Sequence, residues 1–135
     1  AAYGSVREGD IWLCEDFRLD ALNNGYQYMK NTNTALTESI YYILLALVEP
    51  MHGYGIMQKT SLMSNGRLVL SAGTLYGAIS NLLAKEWISP RGESSETDGR
   101  RKLYQITERG QKVLIAELER LEELVKNGRN NIKSE

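Results

Sequence analysis

Residues 98–110, "DGRRKLYQITERG", decide the fold of this chain. Asp98 and Gly99 are turn residues, and Arg100, Arg101 and Lys102 follow side by side. The next residues alternate apolar and polar and predict a short strand. Thr107 then stands where a helix N-cap is expected, with Glu108 favouring the positive end of that helix. Just upstream, "WISPRGE" (residues 87–93) predicts a partner strand, joined through "SSETDG" (residues 94–99). Trp87, Ile88, Leu103, Tyr104 and Ile106 supply the apolar positions of this hairpin. Leu103 is expected to face inward with Trp87. That places Arg101 on the covered side of the strand and leaves Arg100 with the freer reach at the tip.

Three helices are expected before the hairpin. The first begins at a Thr37 cap and is stopped by Pro50; Ile40, Ile43, Leu44 and Leu47 share one face, and Tyr41, Leu45 and Val48 another. A helix apolar on most sides must be covered on most sides. "EPMHGYGI" is a turn, and His52 within it is read as a helix-end hydrogen-bonding residue. The second helix is expected over residues 54–63 with Ile56, Met57 and Leu62 inward, followed by an extended "RLVL" (residues 67–70). The third, "SAGTLYGAISNLLAKEW", has Ser71 as cap and Leu75, Ile79, Leu82 and Leu83 on its apolar side. Its opposite face holds Gly73, Thr74, Gly77, Ser80, Asn81 and Ala84, small and nearly uncharged. A solvated helix face is ordinarily rich in Glu and Lys. This one is composed for close approach to something flat or grooved.

The last helix is expected over residues 108–127, with Gly128 just past its end. Leu114, Leu118, Leu121 and Val125 form its stripe, flanked by Val113 and Leu124. No further element remains to cover this stripe and the outer face of the first helix (Tyr41, Leu45), so a second copy of the chain is expected to do so. The order of elements is that of a winged helix-turn-helix: mostly α with a small β-hairpin, plus a C-terminal dimerisation helix. The expected organisation is an extension (residues 1–28), a DNA-binding domain (29–107) and the dimerisation helix and tail (108–135). The basic triplet gives local positive charge where a wing meets the DNA backbone.

Three motifs in the same order resemble the PadR family of bacterial transcriptional regulators. "ALTESIYYILLALVEPMHGYGI" resembles its first helix and Gly-Tyr-Gly turn, "LSAGTLYGAISNLL" its recognition helix with Thr74-Leu75-Tyr76, and "GRRKLYQITERG" its wing and last-helix start. The resemblance implies a dimeric repressor with a C-terminal helix crossing onto its partner, and places Tyr76 and the wing arginines at DNA. The residues assigned to DNA are thus Ser71, Thr74, Tyr76, Ser80, Asn81, Arg100, Arg101 and Lys102. Those assigned to dimerisation are Tyr41, Leu45, Leu114, Leu118, Leu121 and Val125. The family's small aromatic or cationic effectors, held at the dimer interface, make Tyr41, Tyr42 and Trp87 the aromatic candidates for a ligand. Leu121 stands where some members carry a ligand-stacking tryptophan. Gly77 replaces a frequent proline, Ser80 and Asn81 replace frequent basic residues, and Glu86 occupies the usual helix-ending glycine position.

Composition narrows the alternatives. With 135 residues and 42% hydrophobic content, the chain can bury one modest core. The apolar run "IYYILLALV" (residues 40–48) is too short to span a bilayer, and residues 1–10 lack a signal-peptide pattern; a cytoplasmic location is expected. One cysteine, Cys14, and one histidine, His52, provide neither a disulfide framework nor a zinc ligand set, and no cofactor is expected. Cys14 has no nearby base and no glycine-rich phosphate loop follows a strand, which argues against an enzyme. Residues 1–28 carry five acids and two bases, net −3, leaving 14 bases and 12 acids, net +2, for the remainder. That asymmetry permits a nucleic-acid partner. Residues 1–28 read either as an appended segment or as an arm that packs on the domain or a partner. For the whole chain the competing readings are a winged helix used only for protein contact and a ligand sensor without DNA binding.

Overall fold

Among the described residues, Thr37 opens the first helix. Its hydroxyl accepts from the Ile40 amide at 3.2 Å, and α1 runs Glu38–Ala46 in a computed structural model that describes residues 35–94 and 101–132. The extension over residues 1–28, Cys14 with it, and Arg100, Asp98 and Gly99 in the hairpin turn lie outside the described residues. α1 ends four residues before Pro50, with Leu47 as its C-cap. Three further helices follow: α2 (Gly53–Met63), α3 (Ala72–Ala84) and α4 (Glu108–Asn131); β1 (Ile88–Ser94) and β2 (Arg101–Ile106) stand between the last two. Residues Leu36–Ile115 form one compact unit, and α4 beyond Ile115 belongs to a second.

The core of the first unit joins Ile43, Leu44 and Leu47 of α1 and its C-cap to Ile56 of α2, Leu75 and Leu82 of α3 and Ile88 of β1, all essentially inaccessible to water. Each such side chain contributes about 1.5–3 kcal/mol on burial, against about 0–1 kcal/mol for an exposed ion pair. The buried set therefore holds the fold. The exposed Arg67–Glu38 pair fixes a detail, tying the segment before α3 to the first turn of α1. The hydrogen bond from Arg67 holds the Glu38 carboxyl below its ordinary value against an opposing desolvation, with the Arg67 charge assisting. The pair's contribution is present above the ordinary carboxylate pKa and is lost as pH falls through the lowered one.

Leu62, expected inward, is 77% exposed. The inward row of α2 is Ile56 and Thr60, four apart, and Leu62 lies two residues further round the helix on the far side. Thr60 is fully buried because its hydroxyl donates to the Met57 carbonyl at 3.0 Å. α4 also differs, running through Gly128 to Asn131. A glycine inside a helix costs about 1 kcal/mol relative to alanine but does not end it, and the Ile132 amide still reaches the Gly128 carbonyl at 2.9 Å.

β1 and β2 are antiparallel, with Ile88 opposite Ile106 and Pro90 opposite Tyr104. The inward parity of β2 belongs to Tyr104 and Ile106, both buried, and not to Leu103. Leu103 and Arg101 share the other face, so the expectation that Arg101 points to the covered side is corrected: Arg101 is exposed. The free edge of β2 pairs in turn with the segment between α1 and α2. The Met51 and Tyr104 backbones exchange bonds of 3.0 and 2.9 Å, and the Ile106 amide donates to the Leu47 carbonyl at 2.8 Å.

The exit of α3 departs from the usual glycine ending. Glu86 adopts φ +61°, a left-handed conformation that costs a residue with a Cβ about 1–2 kcal/mol. The Trp87 amide bonds to the Leu82 carbonyl and the Glu86 amide to the Leu83 carbonyl, both at 3.0 Å, the bond pair of a Schellman ending. The start of α4 holds this turn in place. Thr107 donates its hydroxyl to the Glu86 carbonyl at 2.7 Å and its amide to the Trp87 carbonyl at 2.9 Å, while its Oγ1 accepts from the Gly110 amide at 3.0 Å. A Cβ on Gly110 would collide with the Trp87 carbonyl oxygen and sit 2.7 Å from Ile106 Cγ1, so this crossing admits no side chain. Glu86→Gly should therefore stabilise the protein by about 0.5–1 kcal/mol, since the exposed Arg109–Glu86 pair it removes is weak. Urea denaturation checks this, and a lowered midpoint would mean that the left-handed turn carries no strain.

Candidate nucleic-acid interface

α3 is held by its buried side, Leu75, Ile79 and Leu82, and turns the opposite face to solvent. Ser71, Thr74, Tyr76, Gly77, Ser80 and Asn81 are all exposed on the single protomer, as is Gly73. The Ser71 Oγ accepts from the Thr74 amide at 3.1 Å and donates to the Thr74 hydroxyl at 2.9 Å. Ser71 is thus engaged in capping, while the Thr74 hydroxyl keeps its own proton for an outside acceptor. A Cβ built on Gly73 or Gly77 meets nothing within 4 Å. Among the described residues, neither glycine is required by packing, although each costs helix stability.

Tyr76 is half-exposed and lies against the start of α2. A Cβ on Gly53 would collide with its hydroxyl and approach Cζ to 2.8 Å. The glycine of the His-Gly-Tyr-Gly turn is therefore the floor on which the Tyr76 ring rests. His52 fixes that turn as the N-cap of α2, its Nδ1 accepting from the Gly55 amide at 3.1 Å. This matches the helix-end role read from the sequence.

On the wing, Arg101 and Lys102 are exposed at the start of β2. Arg101 carries its guanidinium 5.9 Å from the centre of the Tyr54 ring in the first turn of α2. Arg91 on β1 is a further exposed cation that the sequence reading passed over. It sits at a β-bulge between Pro90 and Glu93, where Gly92 takes φ +92°. A glycine inside a strand pattern was the available signal, because bulges favour it and re-aim the neighbouring side chain.

The residues assigned to dimerisation divide. Leu114 belongs to the protomer's own core. Leu118, 45% exposed, Leu121 and Val125 instead line a shallow groove on the second unit with Glu122, Lys126 and Arg129. Tyr41 and Leu45 are half-buried on α1. Of the ligand candidates, Tyr41 and Tyr42 stand edge to face, 6.2 Å apart. The Trp87 ring already has the Lys85 ammonium 4.6 Å above it. Among the described residues no group of three or more His, Cys, Asp or Glu is placed to hold a metal, and no helix is long and apolar enough to cross a membrane.

The family model of the transcriptional regulator PadR-like family matches residues 40–116, which span α1 through the first turns of α4. The chain belongs to that family. Curated proteins give no match. Among solved structures it is similar to a transcriptional regulator from Clostridium thermocellum, with 26% identity over 72% of this chain and 93% of the other, TM-score 0.56. A PadR-like regulator from Bacillus cereus shares the fold at 19% identity, over 81% and 99% of the two chains, TM-score 0.59. So does Bacillus subtilis PadR, solved in complex with operator DNA, at 19% identity over 59% of this chain and 45% of that one, TM-score 0.51. In PadR-family terms the present chain is a winged-helix transcriptional regulator with a two-stranded wing and a C-terminal helix.

The Gly53–Tyr76 contact makes a direct prediction. Gly53→Ala should displace the tip of the half-exposed Tyr76 ring at a cost of about 0.5–1.5 kcal/mol, and the loss should vanish in a Tyr76→Ala background. Urea denaturation of the four proteins in this cycle checks it. Equal losses in both backgrounds would show that Tyr76 does not rest on Gly53.

Proposed function

We propose that this chain is a transcriptional repressor that binds an inverted-repeat operator as a homodimer, with α3 in the major groove and the wing on the DNA backbone. The observation that carries this reading is the outer face of α3. It is uncharged and exposed, and it contains two glycines with no packing role among the described residues. Such a face suits close approach to base edges, with Thr74, Ser80 and Asn81 as hydrogen-bonding groups. Arg101 and Lys102 supply the phosphate contacts at the wing, with Arg100, their neighbour in sequence, as a further candidate. Ser71 orients the helix through its cap, and Tyr76 flanks the groove-facing side.

The homodimer rests on the second unit. Leu118, Leu121 and Val125 leave an apolar stripe open on α4, and the twofold operator follows from a twofold protein, with half-sites roughly 34 Å apart. An effector, where one acts, meets Tyr41 or Tyr42 in preference to Trp87, whose ring Lys85 already covers.

The test is a titration of duplex DNA from upstream of the protein's own coding region, followed by fluorescence anisotropy at several salt concentrations. Wild-type protein should bind with a steep salt dependence, and Arg101→Gln with Lys102→Gln should flatten the log–log slope by about two. Leu118→Glu should yield a monomer by light scattering and weaken operator binding by at least about tenfold. Binding without salt dependence, or no binding to any duplex, would favour a winged helix devoted to protein contact.

A further inference from the structure

Arg101 and Tyr54 come from opposite ends of the domain sequence, and the Met51–Tyr104 bridge brings them together. The bridge is antiparallel. Tyr54 lies three residues beyond Met51, and Arg101 lies three residues before Tyr104, so the two advance side by side from the same pair of backbone bonds. At that point the chain after Met51 has already turned into α2, fixed by the His52 cap. The Tyr54 ring is therefore carried by a capped helix turn, and the Arg101 guanidinium carbon sits 5.9 Å from its centre.

We propose that Tyr54 is a positioning residue that holds the Arg101 guanidinium by its face and presents its N–H groups to a DNA phosphate. This rests on the DNA-binding reading above. Tyr54 is 54% exposed and absent from the buried core, so packing does not account for its ring. Arg101 has no carboxylate partner among the described residues. An arginine steered by a carboxylate spends its charge and its donors on that partner. One steered by an aromatic face keeps its charge and the donors along its planar edge. The arrangement also couples two parts of the reading head, because Arg101 begins the wing's returning strand and Tyr54 belongs to the first helix of the helix-turn-helix.

The experiment compares Tyr54→Phe and Tyr54→Leu, each with Arg101 and with Arg101→Gln, using the full chain and a random-sequence 30-base-pair duplex as probe. Tyr54→Leu should weaken duplex binding roughly two- to fivefold, the range expected of an exposed cation–π contact. It should have no further effect once Arg101 is Gln, while Tyr54→Phe, which keeps the ring, should bind like wild type. A loss in Tyr54→Phe equal to that in Tyr54→Leu would mean that the hydroxyl touches DNA itself, and equal effects of Tyr54→Leu in both backgrounds would mean that it acts without Arg101. Either result overturns the proposal. A second readout needs no DNA. In the free protein, the Arg101 Nε–H resonance should be shifted upfield by the ring in wild type and Tyr54→Phe and return to the free-arginine position in Tyr54→Leu. An unshifted resonance in wild type would overturn the proposal even if the duplex binds. The shift without any duplex binding would leave the ring contact standing and overturn the phosphate role together with the DNA-binding reading.

Discussion

Two backbone hydrogen bonds between Met51 and Tyr104 decide how the rest of this domain is arranged. Without them the wing would be a two-stranded hairpin, marginal in water by itself. With them, β2 is flanked on one edge by β1 and on the other by the segment that leads into α2. The Ile106–Leu47 bond extends the seam to the end of α1. Arg101 and Tyr54 meet because of this seam, and Tyr104 and Ile106 are turned into the core by it. The second anchor is the crossing of Gly110 over Trp87, where Thr107 binds the left-handed exit of α3 to the start of α4. These two anchors tie the base of the wing to the start of α2 and to the exit of α3.

Much of this could be read from residue order alone, and the parts that could share one property: they depend on local chemistry. Thr37, Ser71 and Thr107 are caps in the structure because a hydroxyl bonding an amide two or three residues on is a local event. The buried side of α3 follows from helical spacing. Errors arise where tertiary partners decide. Helical spacing alone does not say that Thr60, with its hydroxyl satisfied inside its own helix, takes the buried place that Leu62 was expected to fill. In β2 the alternation of Tyr104 and Ile106 about Gln105 carries the inward parity, and Leu103, which shares a face with Arg101 and Gln105, is the misleading apolar residue. Glu86 holds a left-handed conformation because Thr107, 21 residues later, bonds its carbonyl.

The interface reads as a division of labour between chemistry that approaches and chemistry that attracts. α3 offers hydroxyls, an amide and bare glycine backbone, and the wing offers cations. On the proposed reading, a chain of net charge −1 meets DNA on these terms because its positive charge is placed rather than abundant. The same economy holds at Gly53, where the missing side chain leaves room for the hydroxyl end of the Tyr76 ring. Family membership brings the fold and the class of regulator. This chain adds the exposed glycines on α3, the bulge beside Arg91 and the Tyr54–Arg101 contact to that frame.

The account stands on the wing and the helix-turn-helix moving as one body, and native-state hydrogen exchange tests that most directly. The amides of Met51 and Tyr104 should exchange only through global unfolding, with the same free energy of opening as the amide of Ile79 in the buried side of α3. Exchange of the Met51 and Tyr104 amides through a local opening, at a free energy well below that of Ile79, would show a wing that detaches on its own and would contradict the account.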